Sequence, residues 1–178
     1  MTNSTESYDI AFLGHYTQDT IISASGTRLV DGGACNYGAN VAARMGLKTA
    51  AITRLSQDDF HVAHALRELG VDVIARVTPR STCLRLEYPT SNVDERVIYV
   101  TSTAGAFTPP EVEVIQAKAF LIGASMRGEV GLDVIQELGK KTRCSPPTCR
   151  ASYAWNGTGY LPPRRGQKRN GLWPTWTC

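Results

Sequence analysis

The sequence predicts an α/β protein with an incomplete doubly wound parallel sheet and a small antiparallel β lid. Short apolar runs alternate with helical patterns along the first half of the chain, which is the order of a parallel sheet. A pair of alternating strands then interrupts this order, and all periodicity ends near residue 140. We therefore expect one ordered domain at residues 8–139, a lid at about 81–101, and a separate tail at 140–178.

The composition indicates a globular chain whose charge is unevenly distributed. A chain of 178 residues can bury a sizeable core, and its net charge is +3. All 16 acidic residues precede Gly139, whereas the segment from Lys140 onward holds eight Lys or Arg residues and no acid. Five cysteines without zinc-ligand spacing indicate free thiols in a reducing compartment. Without a leader pattern or a long apolar stretch, we expect a cytoplasmic protein.

The first strand ends where a ligand site is expected. The apolar run Tyr8–Leu13 predicts a buried strand that stops at Gly14. Ligands of open α/β sheets lie beyond the carboxyl ends of strands, and Thr17 and Asp19 fall in the loop just past this end. Asp19 is placed either to accept hydrogen bonds from substrate hydroxyls or to cap local backbone as a solvated turn residue. The adjacent His15 has no identifiable partner, so we expect it to be structural.

A glycine pair opens the next segment, after one or two short strands between Ile21 and Val30. Gly32 and Gly33 allow backbone to approach a ligand closely or to adopt positive φ. The first-turn amides of the following helix are free donors. The pair therefore indicates either a binding loop for hydroxyls or phosphate, or a tight contact between helix and sheet that requires small residues.

The remaining elements continue the alternation. Helices are predicted at about Asn36–Met45, with Val41, Ala42 and Met45 inward, and at 56–69, 108–115 and 129–138; strands are predicted at 49–53 and 119–122. His61 and His64 share a helix face at i, i+3, but no third ligand has metal-site spacing, so we expect surface histidines.

The strands at 81–88 and 96–101 form the predicted hairpin. This lid should either cover a ligand or pair with a second copy of the chain; a plain edge hairpin is the alternative.

These residues resemble the ribokinase-like, or PfkB-type, carbohydrate and nucleoside kinases. The family's first signature, a glycine pair, an Asn, an Ala-rich helix and Arg-x-Gly, is similar to Gly32, Gly33, Asn36, Ala39, Ala43, Arg44 and Gly46. Asp19, the inserted hairpin and the run Thr103–Ala106 lie in the family's order. The resemblance covers about residues 8–139 and implies a Rossmann-like, ribokinase-type sheet.

The resemblance also implies an activity and a substrate site. The family transfers phosphate from ATP to a hydroxyl of a sugar, nucleoside or related polyol, and it would use Asp19, Gly32 and Gly33 to hold hydroxyls. The family's Asn lies five residues after the first glycine, where this chain has Tyr37, with Asn36 one position earlier. We take both as substrate-binding candidates. Ser125 lies where some members have a substrate-binding acid, so the resemblance leaves the sugar open.

The family's second signature, Gly-Ala-Gly-Asp, does not occur in the sequence. In the family it supplies the anion hole and the catalytic base, so the resemblance assigns this chain no catalytic residue and no metal ligand. We expect a truncated kinase that lacks catalysis and does not bind ATP or Mg²⁺, and the sequence leaves open whether the chain is an enzyme. The alternatives are a non-catalytic sugar- or nucleoside-binding module, or nucleic-acid binding through the basic tail and its tryptophans.

The tail after Lys140 is a different kind of sequence. It contains no Ile or Val, five of the nine prolines and all three tryptophans, and it has neither strand nor helix periodicity. We expect it to be largely disordered. A frameshift near codons 140–143 of a kinase gene is our hypothesis for its origin. The coding DNA tests this hypothesis, which fails if neither alternative frame encodes Gly-Ala-Gly-Asp within a strand-helix pattern.

Overall fold

The computed structural model describes residues 7–141 and the backbone of residues 150–153 and 176–177. Within them the elements are β1 (Tyr8–Leu13), β2 (Thr17–Ser23), β3 (Gly26–Gly32), α1 (Ala34–Arg44), β4 (Thr49–Leu55), α2 (Phe60–Glu68), β5 (Asp72–Val77), β6 (Thr82–Glu87), β7 (Val97–Ser102), β8 (Ala117–Ile122), α3 (Leu132–Lys141), β9 (Arg150–Tyr153) and β10 (Trp176–Thr177). No helix in this part of the chain is long and apolar enough to cross a membrane.

The larger sheet has the strand order β10-β9-β8-β1-β4-β5. β1 pairs in parallel with β4 and β8, and β5 and β9 extend the parallel sheet on either side. β10 pairs antiparallel with β9. Ala11 and Leu13 of β1 are fully buried, as a central strand covered on both faces requires.

Helices cover both faces of this sheet, so the predicted doubly wound class is confirmed. On one face Phe12 packs with residues of α1 and α2; the buried members of this cluster are Phe12, Cys35, Ala39, Ala42, Ala51, Leu66 and Val71. On the other face Ala11 and Leu13 pack with a cluster that includes Phe107, Val112, Ile115, Val134 and Leu138. Alternate residues of β1 thus contribute to opposite core layers.

A second sheet with the order β3-β2-β6-β7 forms the lid. β2 pairs antiparallel with β3, and β6 pairs antiparallel with β7, but β2 and β6 run parallel. The lid is therefore mixed rather than antiparallel as predicted, and it includes Thr17–Gly32 in addition to the expected hairpin. β2 and β6 run parallel because each leaves the larger sheet in the same direction, after β1 and after β5. Asp19 consequently lies within a strand and not in a loop.

Helix α1 buries Ala42 as predicted, but its other inward residues are Cys35 and Ala39 and not Val41 and Met45. Cys35, Ala39 and Ala42 point at the sheet, whereas Val41 is 58% exposed and Met45 is 73% exposed. The small residues are inward because the helix lies close to the sheet: a side chain at Gly38 would collide with the Phe12 ring. Apolar character alone therefore gave one of the three inward residues correctly and two wrongly.

Several predicted boundaries shift. The helix expected at 108–115 is only a 3₁₀ turn at Pro109–Glu111, closed by a capping box between Thr108 and Glu111. The helix expected at 129–138 begins at Leu132, which places Glu129 in the loop before it. β5 was not predicted. The predicted disorder of 140–178 falls mostly on residues outside those described, although Arg150–Tyr153 form β9 beside β8.

Candidate functional site

The glycine pair lies where the lid meets the larger sheet. Gly32 ends β3, and Gly33 caps the amino end of α1 with φ +100°. A Cβ at Gly33 would overlap the carbonyl oxygen of His15, and one at Gly32 would overlap the Asp19 carboxylate and lie 2.6 Å from Thr17 Oγ1. Close packing thus requires both glycines, and the same packing places Gly32 against the candidate carboxylate.

Asp19 has an unsatisfied carboxylate oxygen. Its Oδ1 is buried and has no hydrogen-bond partner within the described residues. Burial raises the pKa of Asp19, and the hydrogen bond from the Thr17 hydroxyl opposes that rise. A buried acceptor without a donor is uncommon and costly in native proteins, which makes Asp19 the polar group at this site most in need of a further partner.

The two helix candidates next to the glycine pair differ in position. The Tyr37 side chain is 53% exposed. Burial raises the pKa of its hydroxyl, and the negative charges of Asp19 and Asp31 raise it further, so the phenol lies within electrostatic range of both carboxylates. Asn36 instead lines a small gap between α1 and α2, beside Tyr16 and Val62. The structure thus brings Asp19, Gly32, Gly33 and Tyr37 together and turns Asn36 toward α2.

A buried glutamate, which the sequence analysis did not single out, holds the loops around this site. Glu129 is 2% exposed. Its Oε1 accepts a hydrogen bond from the His15 amide at 2.8 Å, and its Oε2 accepts one from the Ser125 amide at 2.7 Å. Burial raises the pKa of Glu129, and these amides oppose the rise. Ser125 therefore contributes its backbone to Glu129, in the loop after β8.

His15 joins the same cluster to the lid. Its ring is buried, with Nε2 2.8 Å from the Gly105 carbonyl and Nδ1 2.7 Å from Thr82 Oγ1. Because a carbonyl only accepts, Nε2 carries the proton, and the Thr82 hydroxyl donates to Nδ1. Burial lowers the pKa of His15 to about 4, so the ring is neutral at pH 7. The expected structural role of His15 agrees with this position.

A row of hydrogen-bonded side chains connects the site to helix α2. The buried Tyr16 donates its hydroxyl to Asp31 Oδ1 at 2.6 Å, and Asp31 Oδ2 lies 3.3 Å from His61 Nε2. Burial and, after it, the hydrogen bond to Asp31 raise the pKa of Tyr16. His61 is more than half exposed, as predicted for a surface histidine, and His64 contacts the ring of Phe60 edge-on.

Residues 7–141 contain no group of three or more His, Cys, Asp or Glu side chains that could hold a metal ion. The Gly32–Gly33 turn precedes α1, and a Cβ there would overlap Asp19 and Thr17 at Gly32 and the carbonyl oxygen of His15 at Gly33.

Fold and site together define a class: a doubly wound α/β domain with a β lid and a carboxylate beside a glycine pair. Solved structures identify the fold more closely. A pyrophosphate-dependent kinase in the ribokinase family, in complex with sulfate, is 30% identical with a TM-score of 0.68; the match covers 75% of this chain and 47% of that one. The same comparison with a pyrophosphate-dependent ribokinase-family kinase bound to a pyrophosphate analog and myo-inositol gives 28% identity, a TM-score of 0.66, and 75% and 46% coverage.

Ribokinase of Arabidopsis thaliana, complexed with ribose and ATP, shares the fold at 17% identity and a TM-score of 0.56, over 76% of this chain and 51% of that one. No protein-family profile matches the chain, and no curated protein matches it. The resemblance to ribokinase-like kinases is thus confirmed, and the chain shares their fold over three quarters of its length. It spans about half the length of the solved structures that it matches.

Proposed function

We propose that this chain carries the acceptor-binding part of a ribokinase-like phosphotransferase and binds the hydroxyls of a sugar, nucleoside or cyclic polyol. The observation that carries the proposal is the buried Asp19 Oδ1, which lacks a donor within the described residues. A substrate hydroxyl is a donor of the right kind, because an ionised carboxylate only accepts hydrogen bonds.

The surroundings of Asp19 support a polyol in preference to an anion. Asp19 and Asp31 are both carboxylates, and both raise the pKa of the nearby Tyr37 hydroxyl. A site with this charge disfavours phosphate or carboxylate ligands and favours neutral hydroxyls. The relative solved with myo-inositol agrees with this choice, since myo-inositol is a neutral cyclic polyol.

We further propose that the chain binds its acceptor without transferring phosphate. Phosphoryl transfer depends on positioning and on stabilising the charge of the transferring group. The Gly-Ala-Gly-Asp signature that supplies these groups in the family is absent from the sequence. Either donor named for the relatives, pyrophosphate or ATP, would need that machinery. A non-catalytic binding module is therefore the form of the function that we favour over an active kinase.

Asp19→Asn is expected to weaken polyol binding at least about 10-fold, because the variant loses one charge-assisted hydrogen bond to the ligand. Calorimetry with myo-inositol, ribose and adenosine measures this, and Asp58→Asn, an exposed acid outside the site, is the matched control. Burial raises the pKa of Asp19, so wild-type affinity should be constant above that pKa and fall as the pH is lowered through it. The Asn variant should show no such fall. The proposal fails if none of the three ligands binds, or if Asp19→Asn binds like wild type.

A homodimer through the lid is a second proposal, carried by the edge strand β7. β7 is the last strand of its sheet, and Val97, Tyr99 and Val100 are 46%, 41% and 51% exposed. An apolar edge strand is a template for pairing with another copy. We expect Val97→Lys to convert a dimer into a monomer in light scattering after gel filtration, whereas Val114→Lys, at a more exposed valine outside the lid, should leave the dimer intact. A monomeric wild type would contradict this proposal.

Nucleic-acid binding through the tail stays a prediction from the sequence alone. Most of the tail's basic residues, and Trp155 and Trp173, lie outside the described residues.

A further inference from the structure

A groove of about 510 Å³ lies at the tip of the lid, away from the glycine pair. It is formed by the β2–β3 turn and the segments that flank the β6–β7 loop; polar lining residues include Ser23, Arg28, Tyr88, Asp94 and Arg96. The volume is within the usual range for pockets that hold small molecules. Neither the proposed polyol site nor the comparisons account for this groove.

The strand register separates the groove from Asp19. Asp19 pairs with Val30, and Ile21 pairs with Arg28, so Arg28 lies on the same face of the lid as Asp19 but one step further along. Ser23 follows Asp19 by four residues, which corresponds to roughly 13 Å along a strand. The apolar Ile21 lies between them and lines the groove. A small ligand in the groove therefore would not contact the Asp19 carboxylate.

Two arginines line the groove, beside the single carboxylate of Asp94. Within the described residues, neither the Arg28 nor the Arg96 side chain makes a hydrogen bond or ion pair, although both line the groove. Arg85 on the opposite face of the lid, by contrast, pairs with Glu87 at 3.0 Å and stacks on the Tyr99 ring. The groove arginines thus keep all their donors available.

The residues that line the groove carry two positive charges, from Arg28 and Arg96, and one negative charge, from Asp94. Glu87 is paired with Arg85, and Glu95 accepts hydrogen bonds from Thr90 and Asn92. Asp94 is the one carboxylate among the lining residues, which also include Arg28 and Arg96. Planar guanidinium groups bind phosphate through paired hydrogen bonds, and the hydroxyls of Ser23 and Tyr88 add neutral partners for phosphate or sugar oxygens.

We propose that the lid-tip groove is a second ligand site, separate from the polyol site, that binds the phosphate group of a small phosphorylated polyol. Arg28 and Arg96 hold the phosphate, and Asp94 opposes it. The two arginines come from different segments, the β2–β3 hairpin and the start of β7. A ligand in the groove therefore contacts both the β2–β3 hairpin and the segment that leads into β7.

Calorimetry on the full chain with glycerol 3-phosphate as the probe, and with neutral glycerol beside it, tests the proposal. We expect glycerol 3-phosphate to bind and glycerol not to bind. Arg28→Gln and Arg96→Gln should each weaken binding at least about 10-fold, while Asp94→Asn should strengthen it about threefold, because opposite changes in local charge shift phosphate affinity in opposite directions. Arg85→Gln, on the other face, should bind like wild type.

Each control can overturn the proposal. Failure of the wild type to bind glycerol 3-phosphate overturns it, as does an equal loss in Arg85→Gln, which would indicate attraction by the general charge of the lid. An equal loss in Asp19→Asn would place the phosphorylated ligand at the polyol site instead. Because the probe and variants differ from those used for Asp19, failure of the groove leaves the proposed polyol binding untouched.

Discussion

Replacing Glu129 with leucine is expected to lower the free energy of unfolding by about 3 to 5 kcal/mol. Leucine has a similar size but no acceptor, so the buried amides of His15 and Ser125 would lose their partner. Each unsatisfied buried donor costs about 1 to 3 kcal/mol. Removing a buried carboxylate recovers part of that loss, since burial already raises the pKa of Glu129 and so disfavours its charge.

Denaturant unfolding followed by circular dichroism measures this loss. Glu129→Gln is the sharper variant, because it keeps the shape and one acceptor oxygen but turns an NH₂ group toward the other amide. We expect it to cost less than leucine and more than nothing. Glu68→Leu, at an exposed position on α2, is the matched control and should stay within about 0.5 kcal/mol of wild type. If Glu129→Leu were as stable as Glu68→Leu, the carboxylate would not be what secures these loops.

The central position of Glu129 follows from the connections between the two sheets. The chain enters the lid after β1 at His15 and after β5 at Thr82, and it returns through Ala104 and Gly105. His15 contacts Thr82 and Gly105 through its ring, and Thr82 Oγ1 accepts a hydrogen bond from the Ala104 amide. Glu129 fixes the backbone of His15. The cluster therefore sets the angle at which the lid, and Asp19 with it, meets the larger sheet.

Most strands of the larger sheet could be predicted because each is marked by a pattern within its own short stretch of sequence. Every residue of the run Tyr8–Leu13 except Asp9 is apolar or aromatic, and such a run is typical of a strand buried on both faces. β5 gave no such signal, because its edge position allows Asp72 and Arg76 within the strand. The mixed lid was not predictable either, since whether β2 runs parallel or antiparallel to β6 depends on how both strands leave the larger sheet.

The sequence could name candidate site residues where the residue type itself suggests the role. It could not show in which direction a side chain points. Asp19 and the glycine pair followed from strand order and from the resemblance to a family signature. Asn36 and Tyr37 differ by one position on α1, a rotation of about 100°, and only the packing of α1 decides which of them lies on the Asp19 side. Glu129 had no signal at all, because its partners, His15 and Ser125, are brought to it only by the folded chain.

Gly33→Ala is expected to destabilise the chain by about 4 kcal/mol or more, or to prevent folding. Gly33 has φ +100° and ψ 129°, a conformation that residues with a side chain rarely adopt. A Cβ there would also overlap the carbonyl oxygen of His15. That carbonyl has little room to move, because the amide of the same residue is held by Glu129 and its ring by Thr82 and Gly105.

Gly46→Ala separates the two causes in the same unfolding experiment. Gly46 also has positive φ, at +80°, but a Cβ there would meet nothing within 4 Å, so this variant carries only the backbone penalty of about 1 to 2 kcal/mol. The difference between the two variants then measures the close approach of α1 to the loop after β1 together with the larger backbone penalty of Gly33, whose ψ is 129°. If they unfolded at the same denaturant concentration, the contact between Gly33 and His15 would not be tight, and the glycine pair would be required by backbone conformation alone.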